Sequence, residues 1–120
     1  MVVAKILLAE DEFMVRLTLS ELLIDVGHQV IEASDGTQAL ELVEPDVAVI
    51  VSDLMMPRMG GAEWVAVVRK KPGMEEIPVI FMSALPPSPE ARALASVFLA
   101  KPFRLDTLVE TVHQLLKGIE

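Results

Sequence analysis

Acidic residues, a hydroxyl and a lysine follow four short apolar segments of this 120-residue sequence. Glu10 and Asp11 follow the first segment, Asp53 the second, Ser83 the third and Lys101 the fourth. Carboxylates are the hard oxygen ligands that a divalent cation such as Mg²⁺ prefers. An ammonium and a hydroxyl are suited to the oxygens of a phosphoryl group. These residue types predict phosphoryl chemistry beside a metal ion, provided that the fold brings them together.

The apolar segments have the length and composition of buried β-strands. Strands are predicted at residues 5–9, 47–52, 77–82 and 97–100, with a shorter and more polar edge strand at 28–33. The run at 47–51 lacks the alternation of a half-exposed strand, which favours a parallel sheet covered by helices on both faces. Because ligands of such sheets bind outside the carboxyl ends of the strands, the polar residues would converge on one site.

Helical patterns separate these strands. Apolar residues recur at helical spacing over 15–26 and, most regularly, over 105–116, while shorter helices are predicted near 36–43 and 62–71. Three prolines in four residues (86, 87 and 89) restrict a fourth helix to about 90–96, so we predict it to be short or disordered. The alternation predicts an α/β fold, a doubly wound five-stranded parallel sheet with helices on both faces.

Composition limits the class of function. A net charge of −8 argues against direct nucleic-acid binding, and the absence of cysteine excludes thiolate metal sites and a cysteine nucleophile. No apolar segment approaches the ~20 residues that cross a bilayer or resembles a signal peptide. We expect one domain over residues 1–120, located in the cytoplasm, with no membrane or direct nucleic-acid partner.

Four motifs in this order resemble the receiver domain of two-component response regulators. They are ILLAEDE at 6–12, SDLMMPRMGG at 52–61, VIFMSA at 79–84 and KPF at 101–103. Each motif alone has low specificity, whereas their order, spacing and position at strand ends together are specific. The resemblance extends from Lys5 to about Lys117, and the expected strand order is 2-1-3-4-5.

The resemblance implies a role for each acidic residue of the site. It makes Asp53 the phosphoacceptor and Glu10 and Asp11 the acidic pair that holds Mg²⁺. The main-chain carbonyl of Met55 is the matching further ligand, alongside Asp53. Glu10 is one methylene longer than the aspartate that is commoner in the family.

The remaining implied roles concern the phosphoryl group and the switch. Ser83 and Lys101 match the hydroxyl and the lysine that contact the phosphoryl group. Ser83 and Phe98 match the pair that rearranges on phosphorylation, although Phe98 lacks the phenolic hydroxyl of a tyrosine. In the family, a cis peptide bond usually joins the residues that match Lys101 and Pro102.

The implied function is that of a phosphorelay receiver that switches the binding of an unknown output partner. It would take its phosphoryl group from the phosphohistidine of a histidine kinase or a histidine phosphotransfer protein. It would be no enzyme beyond its own phosphorylation and dephosphorylation. Whether the chain acts alone or belongs to a hybrid kinase or longer regulator stays open.

Three other functions compete with this interpretation. A degenerate receiver would bind partners without phosphorylation, but the acidic pair, acceptor, hydroxyl and lysine are all present. A phosphohydrolase of the haloacid dehalogenase kind places an Asp-x-Asp signature after its first strand, where this chain has Glu10-Asp11-Glu12. A nucleotide- or flavin-binding domain would have a glycine-rich turn there, which is absent.

Two histidines and the single tryptophan receive structural interpretations. His28 and His113 are isolated in the sequence, and both are expected on the surface rather than in a phosphorelay. Trp64 is expected to pack in the core.

Overall fold

The computed structural model describes residues 3–118, in which strands and helices alternate as predicted. The strands are β1 (Lys5–Ala9), β2 (Gln29–Ala33), β3 (Val49–Asp53), β4 (Val79–Ser83) and β5 (Val97–Ala100). The helices are α1 (Phe13–Asp25), α2 (Gly36–Leu42), α3 (Gly61–Val68), α4 (Pro89–Leu94) and α5 (Leu105–Lys117). No helix within the described part of the chain is both long and apolar enough to cross a membrane.

All strand pairs are parallel, and the strand order is β2-β1-β3-β4-β5, which confirms the predicted fold class. Every residue of β3 and β4 is buried, whereas β2 lies at the edge and is more exposed. Successive strand side chains point to opposite faces of a sheet. Thus Leu7 and Ile50 pack with α2 and α3, while Ile6 and Leu8 pack with α1 and α5.

Strands β3 and β4 each begin two residues later than predicted. Val47 is buried but closes a turn, because its N–H donates to the carbonyl of Glu44 at 3.0 Å. Pro78 precedes β4 and has no N–H to donate to the ladder. Hydrophobicity therefore identified the buried residues correctly, while local backbone hydrogen bonding determined where the strands begin.

Helix α4 is short, as predicted, and it is folded. Ser88 caps it by accepting the N–H of Ala91 at 3.1 Å, and Pro89 occupies the first turn, where its missing N–H costs little. After the helix, Ser96 exchanges two hydrogen bonds with the main chain of Val79, at 2.8 and 3.1 Å. These bonds connect the short helix directly to the β4–β5 pair.

The register brings the polar residues to one edge of the sheet. Ala9 lies opposite Ser52, Asp53 opposite Met82, and Ser83 opposite Ala100. The residues that end or follow β1, β3, β4 and β5 therefore share the carboxyl edge.

The expectation that His28 lies on the surface was wrong. His28 is only 4% exposed, and its Nδ1 accepts the N–H of Ala4 at 3.1 Å. Its ring meets that of His113 edge-on, with 6.0 Å between centroids. The burial results from the packing of α5 beside the α1–β2 turn, a contact between residues far apart in sequence.

We predict that His28 makes stability depend on pH. Burial lowers the pKa of His28 below its ordinary 6.5, and the neighbouring His113 adds to this effect. Below pH 6.5 the unfolded chain therefore binds more protons at this position than the folded protein. The free energy of unfolding should fall as the pH decreases below that value, and this contribution should be constant above it.

Urea unfolding from pH ~8 to pH ~5 tests this expectation in the wild type and in His28→Gln. The variant should lose less stability on acidification, since glutamine does not titrate. Parallel pH profiles would contradict the assignment.

Candidate functional site

Three carboxylates and one ammonium meet at the carboxyl edge of the sheet. Carboxylate oxygens of Glu10, Asp11 and Asp53 lie within 4.8 Å of one another. Lys101 Nζ lies 3.2 Å from Glu10 Oε1 and 3.2 Å from Asp53 Oδ2. The fold thus brings together four of the residues that the sequence placed at this edge.

Burial makes the like charges of this cluster costly. Glu10 is fully buried and Asp53 is 7% exposed, whereas Asp11 is exposed to solvent. Burial raises the pKa of Glu10 to about 8, and the neighbouring carboxylate of Asp53 reinforces this, against the opposing effect of Lys101. The cluster therefore favours a proton or another cation beside Glu10.

Lys101 is the cation that the chain itself supplies. Burial disfavours the charged form, but the carboxylates of Asp53 and Glu10 outweigh it and raise the pKa of Lys101 above its ordinary value. One ammonium facing three carboxyl groups leaves an excess of negative charge. Lys101 thus stays protonated, and its single positive charge does not neutralise the carboxylates of the cluster.

The donor set fits a hard divalent cation. All three side chains offer carboxylate oxygens, the ligands that Mg²⁺ prefers. Glu10 Oε2 is buried and has no hydrogen-bond partner among the described residues, although buried polar atoms are normally paired. A cation at the cluster would satisfy that oxygen and offset the charge excess.

Arg16 on α1 fixes the main chain that carries Glu10. Its guanidinium donates to the carbonyl of Glu10 at 2.8 Å and lies 3.1 Å from Glu32 on β2. The N–H of Glu10 donates to the carbonyl of Ala33 at 3.0 Å. The sequence pattern did not indicate these contacts of Arg16, because an arginine within a helical pattern carries no local signal of them.

The loop between β3 and α3, which carries Met55, is held against the start of α2. Arg58 adopts a positive φ of 65° and pairs with the buried Asp35 at 2.6 Å. The N–H of Gly36 donates to the carbonyl of Met59 at 3.0 Å. The side chain of Met55 is largely exposed, so its predicted role concerns only the main-chain carbonyl.

Ser83 lies next to Lys101 of the cluster, and Phe98 lines a pocket together with Ser83. Ser83 is buried, and its Oγ accepts the N–H of Leu85 at 3.1 Å, which leaves the hydroxyl proton free to donate. Phe98 is half-buried and lines, with Ser83 and Leu85, a cavity of about 290 Å³ between β5 and the loop that leads from β4 to α4. The N–H of Lys101 donates to the carbonyl of Ser83 at 2.9 Å, and the bond between Lys101 and Pro102 is cis.

An apolar groove opens next to Lys101, between α1 and the loop that leads into α5. This α1 groove has a volume of about 540 Å³ and is lined mainly by Met14, Val15, Leu19, Pro102, Phe103 and Leu105. Met14 is 66% exposed and the adjacent Phe13 is 61% exposed. Large apolar side chains thus border the acidic cluster on the solvent side, as at surfaces that bind other proteins.

The sequence matches one protein family over most of its length. Residues 6–113 match the family model described as the response regulator receiver domain. The chain is 34% identical over 119 residues to sporulation initiation phosphotransferase F of Bacillus subtilis, covering 93% of each. It is 37% identical over 121 residues to the sensor kinase CckA of Brucella abortus, covering 95% of this chain.

A solved structure shows the same architecture. The chemotaxis protein CheY4 of Vibrio cholerae is 33% identical, with a TM-score of 0.83 and coverage of 95% of this chain and 99% of that one. The chain spans only 13% of the length of CckA and about half of several other relatives that it matches. The similarity to those longer proteins therefore concerns one domain of each.

Proposed function

This chain belongs to the response regulator receiver domain family of two-component signalling, and from this premise we propose that Asp53 is its phosphoacceptor. The donor would be the phosphohistidine of a histidine kinase or a histidine phosphotransfer protein. The observation that carries the proposal is the placement of Asp53 Oδ2 3.2 Å from Lys101 Nζ, within a cluster of carboxylates. The family is a signalling family, so the only reactions proposed are phosphorylation and dephosphorylation of the chain itself.

In the transfer, a carboxylate oxygen of Asp53 forms a bond to phosphorus as the bond between phosphorus and the donor nitrogen breaks. The electron pair of the broken bond remains on the imidazole of the donor. Lys101 is positioned to pair with an oxygen of the transferred group, and the free hydroxyl proton of Ser83 can donate to another. Such transfer depends mainly on positioning and charge neutralisation, which these two groups provide.

Glu10, Asp11 and Asp53, with the main-chain carbonyl of Met55, would hold a Mg²⁺ ion. The proximity of the three carboxylates and the unpaired Oε2 of Glu10 support this assignment. When bound, the ion supplies positive charge to the acceptor carboxylate and the phosphoryl oxygens. Asp11 is exposed, so the proposed site is open to solvent at this residue.

The proposed switch consists of Ser83 and Phe98. The cavity of about 290 Å³ beside them supports it, because this space can take a side chain that changes position. Movement of the Ser83 hydroxyl toward a new phosphoryl group would alter the contacts on that side of the sheet. The output would be a change in the binding of a partner by a single domain over residues 1–120 in the cytoplasm.

Acetyl phosphate with Mg²⁺ tests the acceptor directly. We expect the intact mass of the wild type to increase by one phosphoryl group, and we expect no increase for Asp53→Asn or without divalent cation. Asp46→Asn is the matched control, since Asp46 is an exposed acid that pairs with Lys5 outside the cluster.

Failure with small donors would lead to one further trial with a phosphorylated histidine kinase. If the wild type gained no phosphoryl group from that donor either, or if Asp53→Asn gained one as readily, the proposal would be wrong.

We also predict that a protein donor docks on the α1 groove. The donor must bring its histidine to Asp53 and would therefore cover the exposed Met14. Met14→Lys should slow transfer from a phosphorylated partner by roughly tenfold, since buried anchor residues of interfaces contribute at least about 1.4 kcal/mol. Uptake from acetyl phosphate should be unchanged.

Ile24→Lys is the control for this prediction, because Ile24 is 52% exposed near the other end of α1. Equal effects of the two substitutions on transfer from the partner would show that the donor binds elsewhere.

A further inference from the structure

A buried chain of hydrogen bonds runs from α3 to the main chain of Asp53. Trp64 and Ser52 are both fully buried. The indole N–H of Trp64 donates to Ser52 Oγ at 3.0 Å, and the Ser52 hydroxyl donates to the carbonyl oxygen of Asp53 at 2.9 Å. Each of these two hydrogen bonds thus has one donor hydrogen and one acceptor, and Ser52 Oγ accepts one bond and donates the other.

The first residue of α3 packs on the same carbonyl group. A Cβ atom on Gly61 would lie 2.4 Å from the oxygen of Asp53, so only glycine permits this approach. The N–H of Gly61 donates to the carbonyl of Leu54 at 3.0 Å. Helix α3 therefore contacts the main chain at Asp53 sterically through Gly61 and by hydrogen bonding through Trp64.

We propose that Trp64 and Ser52 are positioning residues that orient Asp53 for phosphoryl uptake. This inference rests on the proposed role of Asp53 as phosphoacceptor. The carbonyl lies at the end of β3, and the Ser52 hydroxyl bonded to it is itself held by the indole. A buried polar group that loses its hydrogen-bond partner destabilises the fold. The two hydrogen bonds from Trp64 to Ser52 and from Ser52 to Asp53 therefore restrict the orientation of the Asp53 backbone.

The side chain of Asp53 depends on that orientation. Its Oδ2 lies 3.2 Å from Lys101, and its oxygens share the cluster with Glu10 and Asp11. A small rotation of the backbone would displace the carboxylate from Lys101 and from an incoming phosphorus atom. Groups that orient such ligands typically contribute 10–100-fold to metal affinity or activity.

Ser52→Ala and Trp64→Phe test the proposal. Ser52→Ala removes the bond to Asp53, whereas Trp64→Phe keeps an aromatic ring but removes the donor together with the five-membered ring of the indole, so the stability of each variant is measured alongside its rate. We expect each to lower the maximal rate of uptake from acetyl phosphate, roughly tenfold for Ser52→Ala, with little change in the donor concentration that gives half the maximal rate. Thr111→Val is the control, because it removes another buried hydroxyl, on α5.

Fluorescence supplies a second readout, because Trp64 is the only tryptophan and the chain has no tyrosine. Phosphoryl uptake should change the emission of Trp64 in the wild type. The change should be smaller in Ser52→Ala, where the hydrogen-bonded connection to Asp53 is missing. A merely structural role would lower stability without affecting this response.

The outcomes separate this inference from the proposed function. Uptake by the wild type, with slower uptake by both variants and not by Thr111→Val, would support it. Wild-type rates in both variants, or rates that fall only in proportion to lost stability, would overturn it. A wild type that takes up no phosphoryl group, either from acetyl phosphate or from a phosphorylated histidine kinase, would overturn the proposed function and, with it, this inference.

Discussion

The packing of two buried carboxyl groups against one lysine, with a third carboxylate at the surface beside them, is the constraint on which the rest of the structure depends. Like charges in a buried site repel, and the resulting cost must be offset by the folding of the whole domain. Lys101 offsets part of this electrostatic repulsion. The repulsion that it does not offset contributes to the raised pKa of Glu10. The site therefore has a built-in affinity for positive charge, which suits it to a cation.

The scaffold holds this unfavourable arrangement by fixing main chain rather than side chains. Arg16 bonds the carbonyl of Glu10, and Ser52 bonds that of Asp53. The N–H of Lys101 donates to the carbonyl of Ser83. Each polar residue thus ends or follows a strand whose end is hydrogen-bonded to a neighbouring element, and two apolar cores hold those elements on the sheet. Because the carboxyl ends of the strands are fixed in this way, the polar side chains of the site are held close together without a large cavity around them.

Sequence alone predicted most of the fold and which polar residues meet at the carboxyl edge, because both depend on local signals. Apolar segments identified the strands, and the polar residues that end or follow them, such as Asp53 and Lys101, fall at one edge in any parallel sheet. The burial of His28 and the hydrogen bonds of Arg16 and Trp64 were not predictable in the same way. They depend on contacts between residues distant in the sequence, and an arginine or a tryptophan in a helical pattern has the same local signature with or without such contacts.

Thermal unfolding of the wild type at increasing Mg²⁺ concentration tests the central claim most directly. A ligand that binds only the folded state stabilises it by about 2.7 kcal/mol at a hundred times its dissociation constant. We predict that the midpoint rises steadily with Mg²⁺ in the wild type and much less in Asp11→Asn, whose exposed side chain can change without disturbing the core. An unchanged wild-type midpoint at millimolar Mg²⁺, or an equal rise in the variant, would show that the carboxylate cluster is not a metal site.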